Sequence, residues 1–307
     1  MRGLTSVARV RLMRPIHAAL LLVVVLWALN LTMTRYILTH GLDPLAYATL
    51  RYGLAAAIFL AIVLVAERRL AIARRDVGLV ALASLLIFLN QLAFVYALDT
   101  TNASTIALVL GATPAFAALI GLSLGLERMS RRFWVASIVS FAGVGLVALG
   151  TGSGVEGGLK GVLLGVATAA TWAGYSVAVA PLMQRYSPAR VSAVVISIAW
   201  VGIALVGAPQ TAGQDFGVGW DVWLLLLLAT LGPLVVTTLI WFRALGQIGP
   251  SRATLIANLQ PFVAAFFALL LLSEQMTLTQ VAGGALIAGG ILLARRPSLR
   301  TPPATAE

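Results

Sequence analysis

The sequence predicts an all-α membrane protein of ten transmembrane helices, arranged as two inverted five-helix repeats around a central cavity. Three observations lead there. Hydrophobic residues make up 60% of the 307 residues and charged residues 10%, and a water-soluble chain of that composition would expose more apolar surface than water tolerates. The stretch 244–293 repeats 97–146 without a gap at an offset of 147 positions, with thirteen of fifty aligned pairs identical, against roughly five expected by chance in so Leu- and Ala-rich a chain. The 21 Lys and Arg residues gather in alternate connections between apolar runs, as the positive-inside rule demands of a multi-pass chain.

Taken in order, residues 1–15 read as a basic cytoplasmic arm bearing Arg2, Arg9, Arg11 and Arg14. The apolar run from Ile16 to Leu38 is too long for the hydrophobic part of a signal peptide and contains Trp27 and Asn30, so it reads as a retained first span. Further spans are expected at about 44–66, 76–98, 102–125, 132–150, 158–182, 188–208, 220–243, 252–273 and 277–294, each close to the roughly 20 apolar residues that cross a bilayer. The first five form one repeat over 16–150, the next five a second over 158–294, and 295–307 a cytoplasmic tail. Linkers carry turn formers, as in Gly41-Leu42-Asp43-Pro44 and Ser187-Pro188, and only 150–158 and 208–220 read as true loops.

The arm, the 2–3, 4–5, 6–7 and 8–9 connections and the tail hold eighteen of the 21 basic residues, leaving Arg35, Arg51 and Lys160. Both termini are therefore expected on the cytoplasmic side of the cell (inner or plasma) membrane. Five spans per half is an odd number, so the second half crosses in the opposite sense. Glu127 then sits at a cytoplasmic corner and its counterpart Glu274 at an external one, where helix capping or a local ion pair is the expected role. Weaker echoes pair Trp27-Ala28 with Trp172-Ala173 and Pro44 with Pro188.

Composition also narrows function. The net charge of +11 belongs to loops flanking a lipid bilayer, so no nucleic-acid partner is expected. Without cysteine, and with His17 and His40 the only histidines, neither a disulfide nor a Cys- or His-based metal site is expected, and no cofactor. Gly152-Ser153-Gly154 lies in a loop with no histidine base in reach, so the chain reads as no enzyme.

The Leu-Trp-Ala-Leu-Asn run at 26–30, Pro44 followed by Arg51, and the twin modules Pro114, Glu127, Gly143 and Pro261, Glu274, Gly290 resemble the drug/metabolite transporter superfamily, specifically its ten-span EamA-type family. The resemblance covers about 17–294. It implies a ten-helix basket whose cavity is lined largely by the first, third, fourth, sixth, eighth and ninth spans, with the fifth and tenth peripheral. One departure is that Asn30 aligns with Tyr175 and Arg51 with Val195, so any site is expected to be asymmetric.

Polar groups inside a bilayer mark where a cavity is to be sought. Trp27, Asn30 and Thr34 share a stripe of the first span; Ser84, Phe88, Gln91 and Phe94 of the third; Thr168, Trp172 and Tyr175 of the sixth; Thr230, Thr237 and Trp241 of the eighth; Asn258 and Gln260 lie in the ninth beside Pro261. From these, Trp27, Asn30, Arg51, Gln91, Phe94, Trp172, Tyr175, Trp241 and Asn258 are expected to bind solute, the alternative being helix-helix glue. Arg51 either meets a solute carboxylate, joins an outer gate with Asp43 or Asp99, or snorkels to the interface, as Arg35 is expected to do. Pro114 and Pro261 are expected to bend their helices as hinges. Gly143, Gly145, Gly283, Gly284, Gly289 and Gly290 are expected to permit close packing, within the chain or in a homodimer.

No acidic residue falls near the middle of a span. The expectation is a facilitative or weakly coupled exporter of small organic solutes, amino acids or related metabolites, working by alternating access. The alternatives are a lipid or lipid-precursor translocase, and a non-transporting receptor or assembly subunit.

Overall fold

The computed structural model describes residues 4–123, 131–150, 154–248, 257 and 259–294. Helices α1 (Leu4–Thr39), α2 (Pro44–Ala66) and α3 (Val77–Thr100) are followed by α4 (Ala103–Leu110), α5 (Thr113–Ser123) and α6 (Arg131–Leu149). The second half holds α7 (Gly154–Val179), α8 (Pro188–Gly213), α9 (Trp220–Thr230), α10 (Thr237–Ile248), α11 (Gln260–Leu272) and α12 (Leu278–Ala294). Six helical stretches are long and apolar enough to cross a bilayer, and four shorter apolar helices fall at the expected fourth, fifth, ninth and tenth spans. The chain is a multi-pass membrane protein.

Helix α7 begins at Gly154, inside the segment expected as a loop over 150–158, and three further elements differ from expectation, each for a physical reason. The helix α1 begins at Leu4, so the expected arm continues the first span as helix; its 36 residues reach about 54 Å, well past a hydrocarbon core of about 30 Å. The segment expected as a loop from 208 is helical to Gly213, with Pro209 inside α8. Tertiary bonds hold that last turn: Gln210 Oε1 accepts from Leu45 N at 2.9 Å, and Gln214 accepts from Asp43 N at 2.7 Å while donating to Gly41 O at 2.8 Å. Gly41 itself has φ +110°, a conformation few other residues adopt.

The fourth span is the third difference. It does not bend smoothly at Pro114 but breaks into α4 and α5 across Gly111 and Ala112, whose N–H groups make tightened bonds to Leu108 O and Val109 O, both 3.0 Å. Pro114 is the second residue of α5 and Pro261 the second of α11, where a missing N–H costs nothing. Each proline thus sits in the first turn of its helix.

Corners sort to two ends of the bundle. At one, Glu67 pairs with Arg190 (2.7 Å) and accepts from Ser187 Oγ, while Asp76 is paired with Arg185 and accepts from Tyr186 Oη at 2.7 Å. That end also carries Arg68, Arg69, Arg74 and Arg75. At the other, Tyr36 Oη donates to Asp221 at 2.8 Å, Thr277 Oγ1 to Gly150 O at 2.9 Å, and Arg35 Nη1 to Leu98 O and Asp99 O at 2.6 and 2.8 Å. Arg35 thus reaches the end of the bundle, where its guanidinium caps the C-terminus of α3 beside the exposed Asp99 carbonyl, a position that favours a cation.

The two halves are related by a pseudo-two-fold, seen where α6 packs on α12. A Cβ built on Gly143 would lie 2.6 Å from Gly283 O, and one on Gly290 would lie 2.6 Å from Ala136 O. Under the 147-residue offset these two contacts are one contact with partners exchanged, as a two-fold requires. Gly143, Gly283, Gly284 and Gly290 are thus spent on packing within the chain, whereas Gly145 and Gly289 have nothing within 4 Å.

Candidate functional site

Between the spans lies a cavity of about 120 Å³, space for several water molecules. Trp27, Asn30, Arg51, Gln91, Phe94, Trp172, Tyr175 and Trp241 line it together; Asn258 lies outside the described residues. The walls come from α1, α3, α4, α5, α7, the eighth span and α11, with Arg51 and Tyr52 from α2 and Ile196 from α8 as additions to the spans the resemblance implied. Neither α6 nor α12 supplies a described lining residue.

Trp27 is the centre of an aromatic cluster. Its ring meets that of Trp172 edge-on at 5.4 Å and 86°, and that of Trp241 at 5.0 Å and 57°; Trp172 reaches Tyr175 at 5.5 Å. Rings of opposite edge and face polarity favour such tilted pairs. Trp27 and Trp172 are repeat equivalents, and equivalents touch only beside the axis relating them. Trp27 Nε1 is held by donating to Thr237 Oγ1 at 2.9 Å.

Arg51 is 3% exposed. Its Nη2 donates to Asn30 Oδ1 at 2.8 Å and to Ala229 O at 3.2 Å, and its carbon Cζ lies 5.7 Å from the centre of the Tyr47 ring. The gate with Asp43 or Asp99 and the snorkelling alternative are both overturned, because the side chain turns inward and its bonds go to α1 and α9. Among the described residues no Asp or Glu lines the cavity. The guanidinium is therefore buried without a protein carboxylate, an arrangement that costs free energy unless water or a guest supplies acceptors.

Six buried side-chain donors have no hydrogen-bond partner among the described residues: the hydroxyls of Thr32, Thr49 and Ser197, which do not line the cavity, and the three nitrogens Arg51 Nε, Gln91 Nε2 and Trp241 Nε1. The three nitrogens all belong to residues lining the cavity. Thr113 and Gln260, the first residues of α5 and α11, line it too, so the first turn of each of these helices lies at the wall.

Several stripe residues face elsewhere. Thr34 Oγ1 pairs with Tyr47 Oη at 2.9 Å, Ser84 Oγ donates to Val80 O at 2.8 Å, Thr230 Oγ1 to Leu226 O at 2.7 Å, and Phe88 packs on Gly202. The lining face of α3 is Ile87, Asn90, Gln91 and Phe94, spaced 3, 4 and 7 as a helix dictates. In the eighth span a π turn at Leu231–Val236 adds a residue per turn, so Thr238 reaches the cavity and Thr237 does not. Sequence reasoning passed over Tyr52, Asn90, Thr113 and Thr238. Asn90 had a signal, a second amide beside Gln91 in mid-span; it anchors α3 to α7 by donating to Thr168 O at 2.8 Å.

Glu274 caps α4: its carboxylate accepts from Ala103 N (3.0 Å), Ser104 N (2.9 Å) and Ser104 Oγ (2.8 Å). Glu127 lies outside the described residues.

A model of the EamA-like transporter family matches the chain twice, over residues 14–149 and 159–296. The chain is 28% identical over 287 residues to a protein of Salmonella typhimurium described as a probable amino-acid metabolite efflux pump, covering 89% of this chain and 92% of that one. It is 24% identical over 286 residues to an uncharacterized transporter of Archaeoglobus fulgidus, covering 90% and 97%. A solved crystal structure superposes with a TM-score of 0.64 at 18% identity, over 91% of this chain and 98% of that one, and shares the fold.

Proposed function

Because the chain belongs to the EamA-like transporter family, we propose that it exports amino acids or related small metabolites across the inner or plasma membrane by alternating access. The carrying observation is the cavity, built from both halves with the repeat-related Trp27 and Trp172 in contact in its wall. A site on the axis between inverted halves is what a rocking exchange of access needs, since a half-turn about that axis carries each half's arrangement onto the other's with the two sides of the membrane exchanged. The two units are 16–150 and 158–294, and Pro114 and Pro261, each in the first turn of its helix, are the hinges between their moving parts. Aromatic walls with neutral amides and one guanidinium suit amphipathic or zwitterionic guests better than inorganic ions. With no carboxylate described in the cavity to carry a proton, movement is facilitative or weakly coupled. The arginine-rich end faces the cytoplasm, which puts both termini there.

Counterflow of radiolabelled amino acids in proteoliposomes tests this. Wild-type protein exchanges at least one of them, and the double variant Trp27→Ala with Asn30→Ala loses that exchange by tenfold or more. Undiminished exchange in the double variant removes the cavity as the site; no exchange of any amino acid by the wild type removes the substrate reading.

A further inference from the structure

We propose that the cavity holds its guest by a carboxylate, seated between Arg51 and the starts of the two helices α5 and α11, and that it selects monocarboxylate-bearing solutes over their amides and amines. This rests on the export reading above and deepens it.

Four features converge, three of them at Arg51. The first is charge: Arg51 is buried, lines the cavity and has no acidic partner there among the described residues. One anionic group from the guest supplies what the protein withholds, and a single guanidinium balances one negative charge. The second is unpaired donors. Arg51 Nε, Gln91 Nε2 and Trp241 Nε1 are buried without acceptors, and their residues are 3%, 2% and 3% exposed. A buried donor left unmade costs about 1–3 kcal/mol, and an acceptor-only group such as a carboxylate relieves such a debt where an amine does not.

The third is backbone. Thr113 and Gln260 open helices of 11 and 13 residues on the cavity wall. Helix starts present the positive end of the peptide dipoles and favour an anion. Repeat symmetry makes this convergence no accident of one element, since the two residues are equivalents under the 147-residue offset. The fourth is pre-organisation. Nη2 of Arg51 is already fixed by Asn30 Oδ1 and Ala229 O, so little side-chain entropy is lost when a guest arrives. Trp27 and Trp172 then receive the remainder of the guest, and their ring faces accept an ammonium or an apolar group.

The test uses full-length protein in detergent and the quenching of its tryptophan fluorescence, with matched probes: L-alanine, L-alaninamide and ethylamine, and L-phenylalanine, L-phenylalaninamide and phenethylamine. In at least one set the carboxylate binds tenfold or more tighter than the amide and the amine, and inorganic phosphate does not displace it. Arg51→Gln brings the carboxylate-to-amide ratio to about one, while Arg51→Lys keeps part of it. Equal binding of carboxylate and amide by the wild type, no binding of either carboxylate, displacement by phosphate, or a preference that survives Arg51→Gln overturns the seat. Failure of counterflow with carboxylate binding intact removes the export reading and leaves the seat standing.

Discussion

Glu274 illustrates how much one side chain at the edge of a bilayer can settle. Helix α4 has eight residues, too few to hold itself by propagation alone, and its first two N–H groups and the Ser104 hydroxyl all give their bonds to this one carboxylate. Replacing Glu274 with Ala leaves three donors without their acceptor, and the loss is about 1–3 kcal/mol. Glu274→Gln, which keeps one acceptor oxygen, loses roughly half of that. Unfolding midpoints in mixed micelles measure both; an Ala variant that unfolds with the wild type contradicts the cap. The role of this glutamate was legible, since a carboxylate between two apolar runs is a natural cap. Its partner was not, because Ser104 and Glu274 lie in different halves and only antiparallel packing joins them. Arg51 shows the same limit: its depth could be counted from Pro44, but which way its side chain turned depended on Asn30 and Ala229.

At the scale of elements, pairs of small residues decide which spans can touch. At Gly143 a Cβ would sit 2.6 Å from Gly283 O and 2.9 Å from Ile287 N, both backbone atoms that cannot swing aside. Gly143→Val therefore pushes α6 from α12 and lowers the unfolding midpoint by several degrees. Gly145→Ala and Gly289→Ala, with nothing within 4 Å, leave it unchanged or raise it slightly, as helix propensity favours alanine by about 1 kcal/mol. A drop at Gly145 as large as that at Gly143 would mean that the open face is covered, as in a homodimer. Element existence was readable from hydropathy alone, and the sixth-span stripe of Thr168, Trp172 and Tyr175 lines the cavity as drawn. The eighth-span stripe was misdrawn because period 3.6 cannot foresee a π turn, and the fourth span was drawn whole because a proline reads alike in a kink and at a helix start.

For the whole molecule, the ruling feature is that one fold unit is used twice in opposite senses. Corners 1–2 and 7–8 meet at one end and corners 2–3 and 6–7 at the other, an exchange that follows directly from inversion. The outer surface agrees with a bilayer: Leu205, Leu270 and Phe266 are 72%, 64% and 59% exposed along the spans, while Trp220 marks one end and Trp134 the other, as aromatic residues do at the two interfaces. Charge alternation and the internal repeat were enough to propose this threading, whereas the axis through Trp27 and Trp172 needed coordinates. The chain has no native cysteine, so single-cysteine labelling has no background. His40 and Gln184 are exposed residues at the equivalent corners 1–2 and 6–7. In intact cells a membrane-impermeant maleimide is predicted to label His40→Cys at once and Gln184→Cys only after the membrane is opened; labelling of both from the same face would contradict inversion and the shared cavity built on it.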